Sequence, residues 1–265
     1  MKLSVFGLGK LGVPMLATLA KNQFKVVGYD INQSIVDSLN KGLTHVEEPG
    51  LAELLQKYKA NYRASTCPKD VIFHSSASFI IVPTPSSEDG LFSNDFVLKC
   101  VETIGRQLAE KDEYHLVVIS STVTPGSTNK LIKPLLENAS GKKVGAQIGL
   151  CYNPEFIALG TVLRDMTHPD ILLIGENDSK AGDALEKIHQ RVVVSKPITH
   201  RLTFQEAEIA KIAVNAFVTT KISYGNMLAE MCEKIGGADV DNVTNAIGDD
   251  SRIGRKYLKG GVAYG

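Results

Sequence analysis

The sequence predicts an α/β protein: a doubly wound, mostly parallel sheet followed by a long bridging helix and a small all-α segment. Three observations carry this expectation. Over residues 1–200, short apolar runs alternate with longer segments of helical period, the pattern of parallel strands covered by helices. The texture then changes to a single periodic segment, residues 203–235, with no proline and one interior glycine. Its thirty-three residues far exceed the usual helix length of about 11 to 12. At about 150 residues per domain, 265 residues correspond to one or two domains. The change of texture divides them into 1–200 and 201–265.

The elements follow in order. Residues 3–6 are an apolar run stopped by Gly7, and a helix of apolar period follows over 11–21. A second strand at 26–29 ends at Asp30, and helices are expected over 34–41 and 51–57. The strand at 79–82 stops at Pro83 and leads to a helix over 94–110. The strand at 116–120 precedes a helix over 125–138, where Pro125 after Thr124 gives a start signal. A fifth strand covers 147–152. The helix at 203–235 ends at Gly236 and Gly237, a shorter one covers 240–247, and the segment from Arg252 to Gly265 is loop-like.

Composition excludes several classes. Lys plus Arg and Asp plus Glu each number 29, so the net charge is zero and nothing in the balance points to nucleic acid or an anionic membrane. No stretch approaches the roughly 18 consecutive apolar residues of a membrane helix, and the apolar fraction of 43% is that of a globular protein. Cys67, Cys100, Cys151 and Cys232 lie far apart without a C-x-x-C pair, so neither a disulfide framework nor a metal site is expected, and each reads as a small buried hydrophobe. The N-terminus reaches glycine before any signal-peptide core develops, so the expectation is a cytoplasmic protein.

The first chemical motif is Gly7-Leu8-Gly9-Lys10-Leu11-Gly12, directly after a strand and opening a helix. Gly7 permits the tight turn, Gly9 lets backbone approach a pyrophosphate, and Gly12 lets helix and strand pack closely, with Leu8 and Leu11 completing the loop. A pyrophosphate would sit on the helix N-terminus. Asp30, 18 residues after Gly12, ends the second strand where a carboxylate meets the adenosine ribose of a Rossmann-like site. That carboxylate repels a 2′-phosphate and no arginine follows closely, which favours NAD over NADP. Thr84 and Thr122 stand at the carboxyl ends of two further strands, facing the cofactor cleft or serving as turn formers.

Two other places carry chemistry. Glu155, in Asn153-Pro154-Glu155-Phe156, has apolar neighbours and suits either general acid–base work or a capping role. Lys211 and Asn215 lie at i and i+4 in a nearly apolar stretch, placed to stabilise an oxyanion unless Lys211 snorkels from a half-exposed helix. Arg252, beside Asp249 and Asp250, is a phosphate ligand or an ion-paired surface residue.

With these residues in order, G-L-G-K-L-G and Asp30, V-P-T-P at 82–85, S-S-T-V at 120–123, N-P-E-F at 153–156, K-I-A-V-N-A-F at 211–217 and R-I-G at 252–254, the chain resembles the UDP-glucose/GDP-mannose dehydrogenase family over essentially all its length. The resemblance implies a four-electron, NAD-dependent oxidation of a nucleotide sugar's C6 hydroxyl to a carboxylate, through an aldehyde and a cysteine thioester, in polysaccharide biosynthesis. It implies that Lys211 and Asn215 stabilise the oxyanion at C6, that Thr122 positions the hydrolytic water and that Glu155 assists proton movement. Gly7, Leu8, Gly9, Leu11, Gly12, Asp30, Thr84 and Thr122 would line NAD. Glu155, Phe156, Lys211, Asn215, Arg252 and Tyr257 would meet the nucleotide sugar, a UDP sugar being favoured.

Two departures qualify the resemblance. Many members carry a second glutamate four residues after the first, where this chain has Leu159. The family's nucleophilic cysteine and the aspartate after it follow a segment that here ends at Tyr264 and Gly265, so the expectation is a chain that binds NAD without completing the oxidation. Two other readings compete: a two-electron β-hydroxyacid dehydrogenase, which needs no cysteine, and a regulatory module that binds NAD without hydride transfer. The helix at 203–235, apolar on more than one face, is expected to form a homodimer.

Overall fold

The computed structural model describes residues 1–86, 90 and 92–262, and the last three residues of the expected loop-like tail lie outside them. The chain forms two compact units, Met1–Glu208 and Ile209–Gly265.

The first unit is an eight-stranded sheet. The strands are β1 (Lys2–Phe6), β2 (Lys25–Tyr29), β3 (Tyr62–Ser65), β4 (Ala77–Ile80), β5 (His115–Ile119), β6 (Ile148–Tyr152), β7 (Ile171–Glu176) and β8 (Ile198–Leu202). Their spatial order is β3-β2-β1-β4-β5-β6-β7-β8. All neighbours are parallel except β6 and β7, where Tyr152 pairs with Gly175 in antiparallel register. The chain leaves β1 towards β2 on one side and returns to β4 on the other, so a cleft opens at the carboxyl ends of β1 and β4.

The covering helices are α1 (Gly12–Lys21), α2 (Gln33–Asn40), α3 (Leu51–Lys57), α4 (Pro68–Phe73), α5 (Asp95–Leu108), α6 (Lys133–Ser140), α7 (Val162–Thr167) and α8 (Ser179–Val192). Two apolar clusters form. One has Leu3, Val5, Leu16 and Phe24, with Leu185 and Ile188 of α8; the other has Phe6, Ile80, Val101, Ile119 and Tyr152. The central strands β4, β5 and β6 are buried along their length, as strands covered on both faces must be.

The sequence pattern predicts five of the eight strands. β3 has four residues and β8 is a half-exposed edge strand, so neither shows the continuous apolar run of a covered strand. β7 is apolar enough, but it does not follow the expected alternation. Helices α4, α7 and α8 are likewise additional to the expected set. β4 stops at Ile80, two residues earlier than expected, because Ser121 Oγ accepts from Val82 N–H (2.8 Å) and donates to Val82 O (2.8 Å). The helix expected over 125–138 begins as a π-helical turn, Thr128–Ile132, before α6. Glu208, fully buried, accepts from the N–H groups of Gly126 (2.5 Å) and Thr128 (2.8 Å) and ties the turn at 125–126 to the start of the π-helical segment. The cysteines also differ from expectation, since Cys67 is exposed and Cys100 only half-buried, while Cys151 and Cys232 are buried.

The long helix α9 (Phe204–Ile235) starts in the first unit and continues into the second. Thr203 Oγ1 accepts from Glu206 N–H (3.3 Å) while Glu206 accepts from Thr203 N–H (2.8 Å), a reciprocal cap at its start. The second unit adds α10 (Val240–Gly248), capped by Asp239, and a tail that lies along α9. Lys221 Nζ donates to the carbonyls of Ile253 (3.1 Å) and Gly254 (3.0 Å), and the Asn226 side chain exchanges two hydrogen bonds with Gly261. The interior glycine of the helix, Gly225, makes this possible: a Cβ there would stand 2.7 Å from Leu258 O.

Candidate active site

The loop from β1 to α1 has the geometry its glycines predict. Gly7 has a φ of +96°, and a Cβ there would lie 2.5 Å from Ile81 O; one on Gly12 would lie 1.8 Å from Gly7 O. Gly9 has nothing within 4 Å of its Cβ position, so the surface over it is open. α1 has no side-chain cap and no acidic residue in its first turn, which leaves its positive end for a ligand anion. Leu8 is fully buried and Leu11 partly so, holding the loop against the core.

Asp30 is half-exposed at the end of β2. Its carboxylate accepts from Leu8 N–H (2.9 Å) and from Asn32 N–H (2.9 Å), which ties it to the glycine loop and leaves lone pairs on both oxygens for ribose hydroxyls. Thr84 and Thr122, both half-buried, follow β4 and β5. Ser120, beside Thr122, keeps a buried hydroxyl without a hydrogen-bond partner at the same edge of the sheet. An open glycine, an uncapped helix and a tethered carboxylate together fit a dinucleotide.

Beyond β6, Glu155 and Phe156 are half-buried and line a cleft together with Met15 and Thr18 of α1, Phe79 of β4 and His189 of α8. The first unit therefore brings together Gly7, Leu8, Gly9, Leu11, Gly12 and Asp30 at one corner, and Thr84 and Thr122 follow β4 and β5 at the same carboxyl edge; Glu155 and Phe156 follow β6 and line the cleft, whose walls include neither of these two threonines nor the glycine loop.

In the second unit, Lys211 is 7% exposed, so it does not snorkel, whereas Asn215 one turn later is exposed. The apolar stretch around them is itself partly open, with Val214 40% and Phe217 66% exposed. Arg252 is exposed and bound to Asp250 (2.6 Å), the ion-paired alternative. Tyr257 has a left-handed φ of +61° and is exposed. Among the described residues, no group of three or more His, Cys, Asp or Glu is placed to hold a metal ion.

Residues 1–193 match the NAD binding domain of the UDP-glucose/GDP-mannose dehydrogenase family, and residues 205–265 match that family's central domain. The chain belongs to the UDP-glucose/GDP-mannose dehydrogenase family. A UDP-glucose 6-dehydrogenase of Haloferax volcanii is 39% identical over all of this chain and 62% of its own length. A GDP-mannose 6-dehydrogenase of Pseudomonas aeruginosa is 35% identical over all of this chain and 61% of its own. Among solved structures, a UDP-glucose dehydrogenase from Pyrobaculum islandicum superposes with a TM-score of 0.92 at 34% identity, covering all of this chain and 60% of that one. The chain thus spans about 60% of the length of these relatives. The matching family is one of dehydrogenases with an NAD binding domain, and the glycine loop and Asp30 lie in the part that matches that domain.

Sequence reasoning overlooked four side chains here: Ser121, Glu208, Asn153 in its holding role, and His189. Asn153 and Ser121 stand in the motifs N-P-E-F and S-S-T-V, but none of the four contacts shows in the sequence pattern.

Proposed function

We propose that this chain supplies the NAD-binding and central parts of a reaction that oxidises the C6 hydroxyl of a nucleotide sugar, a UDP sugar being favoured, through an aldehyde to the uronic acid, as part of polysaccharide biosynthesis in the cytoplasm. The observation that carries the reading is Glu155 in a cleft shared with α1, the helix that opens from the glycine loop. NAD bound on that loop supplies the hydride acceptor for a primary alcohol. In this reading Gly7, Leu8, Gly9, Leu11 and Gly12 seat the pyrophosphate, Asp30 takes the ribose hydroxyls, and Thr84 and Thr122 line the cofactor. Thr122 also orients water for hydrolysis, and Glu155 takes a proton at its carboxylate oxygen. Lys211 and Asn215 stabilise charge on the C6 oxygen. Phe156, Arg252 and Tyr257 contact the nucleotide sugar; the left-handed backbone at Tyr257 is a strained conformation of the kind that collects at ligand sites.

The acid-forming step requires a nucleophilic thiolate. Burial pushes the Cys100 thiol up to about 12 and raises Cys151 as well, Cys232 is buried, and Cys67 stands before α4 at the β3 end of the sheet. None suits that role, so this chain by itself is expected to bind NAD and a nucleotide sugar without sustained turnover. Mixing it with NAD and UDP-glucose or a UDP-N-acetylhexosamine, and following NADH alongside calorimetric NAD binding, tests both parts. Continued NADH production would overturn the thiol argument, and absence of NAD binding would overturn the whole reading. The homodimer belongs to the same proposal. Phe217, Tyr224, Met227 and Met231 are each at least 45% exposed and recur at spacings of seven, three and four, the pattern of a helix–helix seam.

A further inference from the structure

The turn that carries Glu155 is held from both ends by groups that the reading above does not use. Asn153 is buried; its backbone N–H donates to Ile119 O (2.8 Å) and its side-chain Nδ2 donates to Leu173 O (2.9 Å). With the amide nitrogen committed there, Oδ1 faces His189 Nε2 at 2.9 Å as an acceptor. The ring nitrogen must therefore carry the proton on Nε2 and donate. Burial pushes His189 down to about 4, so the ring stays neutral and this bond persists through the neutral range. At the far end of the segment, Glu48 accepts from the N–H groups of Gly160 (3.2 Å) and Leu163 (3.3 Å). Glu155 lies between the two holds, two residues after Asn153, in the cleft that His189 itself lines. Asp165 is the other carboxylate lining that cleft.

We propose that His189 is a positioning residue: through Asn153 it fixes where the Glu155 carboxylate stands in the cleft between α1 and the segment after β6. This rests on the reading of Glu155 as the proton-handling group. Without the ring, Asn153 Oδ1 becomes a buried acceptor with nothing to accept. The amide can then satisfy itself only by rotating away from Leu173, which loosens the backbone two residues before Glu155. A displacement of about 1 Å at a reacting group can cost on the order of 100-fold in rate, so such a hold has a functional consequence as well as a structural one.

The test uses this 265-residue chain and nuclear magnetic resonance of labelled His189, Asn153 and Glu155. In the unmodified chain the His189 ring is expected to carry its proton on Nε2 and not to titrate between about pH 5 and 8. His189→Leu is expected to shift the Asn153 side-chain amide signals and to move the Glu155 carboxyl midpoint by about 0.5 or more on the pH scale. His189→Gln, whose amide can donate to the same oxygen, should restore both. A merely structural histidine would lower the melting temperature of His189→Leu while leaving the Glu155 midpoint in place, and that result overturns the proposal. A proton on Nδ1 in the unmodified chain overturns it equally. Should His189→Leu fail to fold, Asn153→Ser reads the contact from the other side: a moved Glu155 midpoint supports the proposal, and an unmoved one sinks it. Failure of the catalytic reading would look different, as nucleotide-sugar binding indifferent to Glu155→Gln with the His189-dependent shifts intact.

Discussion

Single atoms decide the glycine loop, and its three glycines are not equivalent. Gly12→Ala would place a methyl 1.8 Å from Gly7 O, against backbone that cannot yield without parting α1 from β1. The expected outcome is a loss of roughly 3 kcal/mol or more of stability together with loss of NAD binding, read by urea unfolding and calorimetry. Gly9→Ala meets nothing within 4 Å, so its melting temperature should stay within roughly 2 °C of the unmodified chain. Its methyl nevertheless stands over the surface offered to the pyrophosphate, and NAD should bind about tenfold or more weakly. Equal loss of stability in both variants would show that Gly9 has a folding role the loop geometry does not reveal.

At the level of elements, the ends of helices and strands are set by side chains from elsewhere. Glu208 of α9 caps the turn before the π-helical segment with two hydrogen bonds to buried N–H groups. Glu208→Ala leaves both donors unpaired and should lower unfolding free energy by roughly 2 to 4 kcal/mol, with Glu208→Gln intermediate; a loss under about 1 kcal/mol would mean that water replaces the carboxylate. Further along the same helix, Phe217 is 66% exposed at the head of the proposed seam. Phe217→Glu should convert a dimer to a monomer in light scattering after gel filtration, with helical content unchanged. An unmodified chain that elutes as a monomer at high concentration would remove the seam from the proposal.

Across the whole first unit, burial of neutral histidines gives stability a direction in pH. At the amino edge of the sheet the Lys111 ammonium spends its three N–H groups on Ile72 O (2.8 Å), Ser75 O and His115 Nδ1 (3.2 Å). His115 Nε2 in turn meets Ser78 Oγ (2.8 Å), so the ring is fully engaged as a neutral base. Burial first, and the Lys111 charge second, push His115 down to about 3; burial pushes His189 down to about 4. In the unfolded chain both return to about 6.5. Between those values the unfolded state holds protons that the folded state refuses, so stability is complete above pH 6.5 and falls as the pH drops towards 4. The slope should approach roughly 1.4 kcal/mol per pH unit for each histidine. Urea midpoints at pH 7, 6 and 5 measure it, and a flat profile would contradict the burial of both rings.

What the sequence determined by itself is local. A strand running into G-x-G-x-x-G, an acid at the end of the next strand, N-P-E-F and the Lys211–Asn215 pair are all legible, because each is a short run, or a pair of neighbouring elements, at a fixed spacing in the chain. The family and the match to its NAD binding domain follow from those runs. Other features were decided by the tertiary structure alone. The antiparallel β7, the early stop of β4 at Ser121, the Glu208 cap 80 and 82 residues from its donors and the His189–Asn153 contact across 36 residues leave no pattern in the chain. The physical reason is common to them: a buried polar group needs a partner in space, and no periodicity or turn chemistry records which distant residue the packing brings to it.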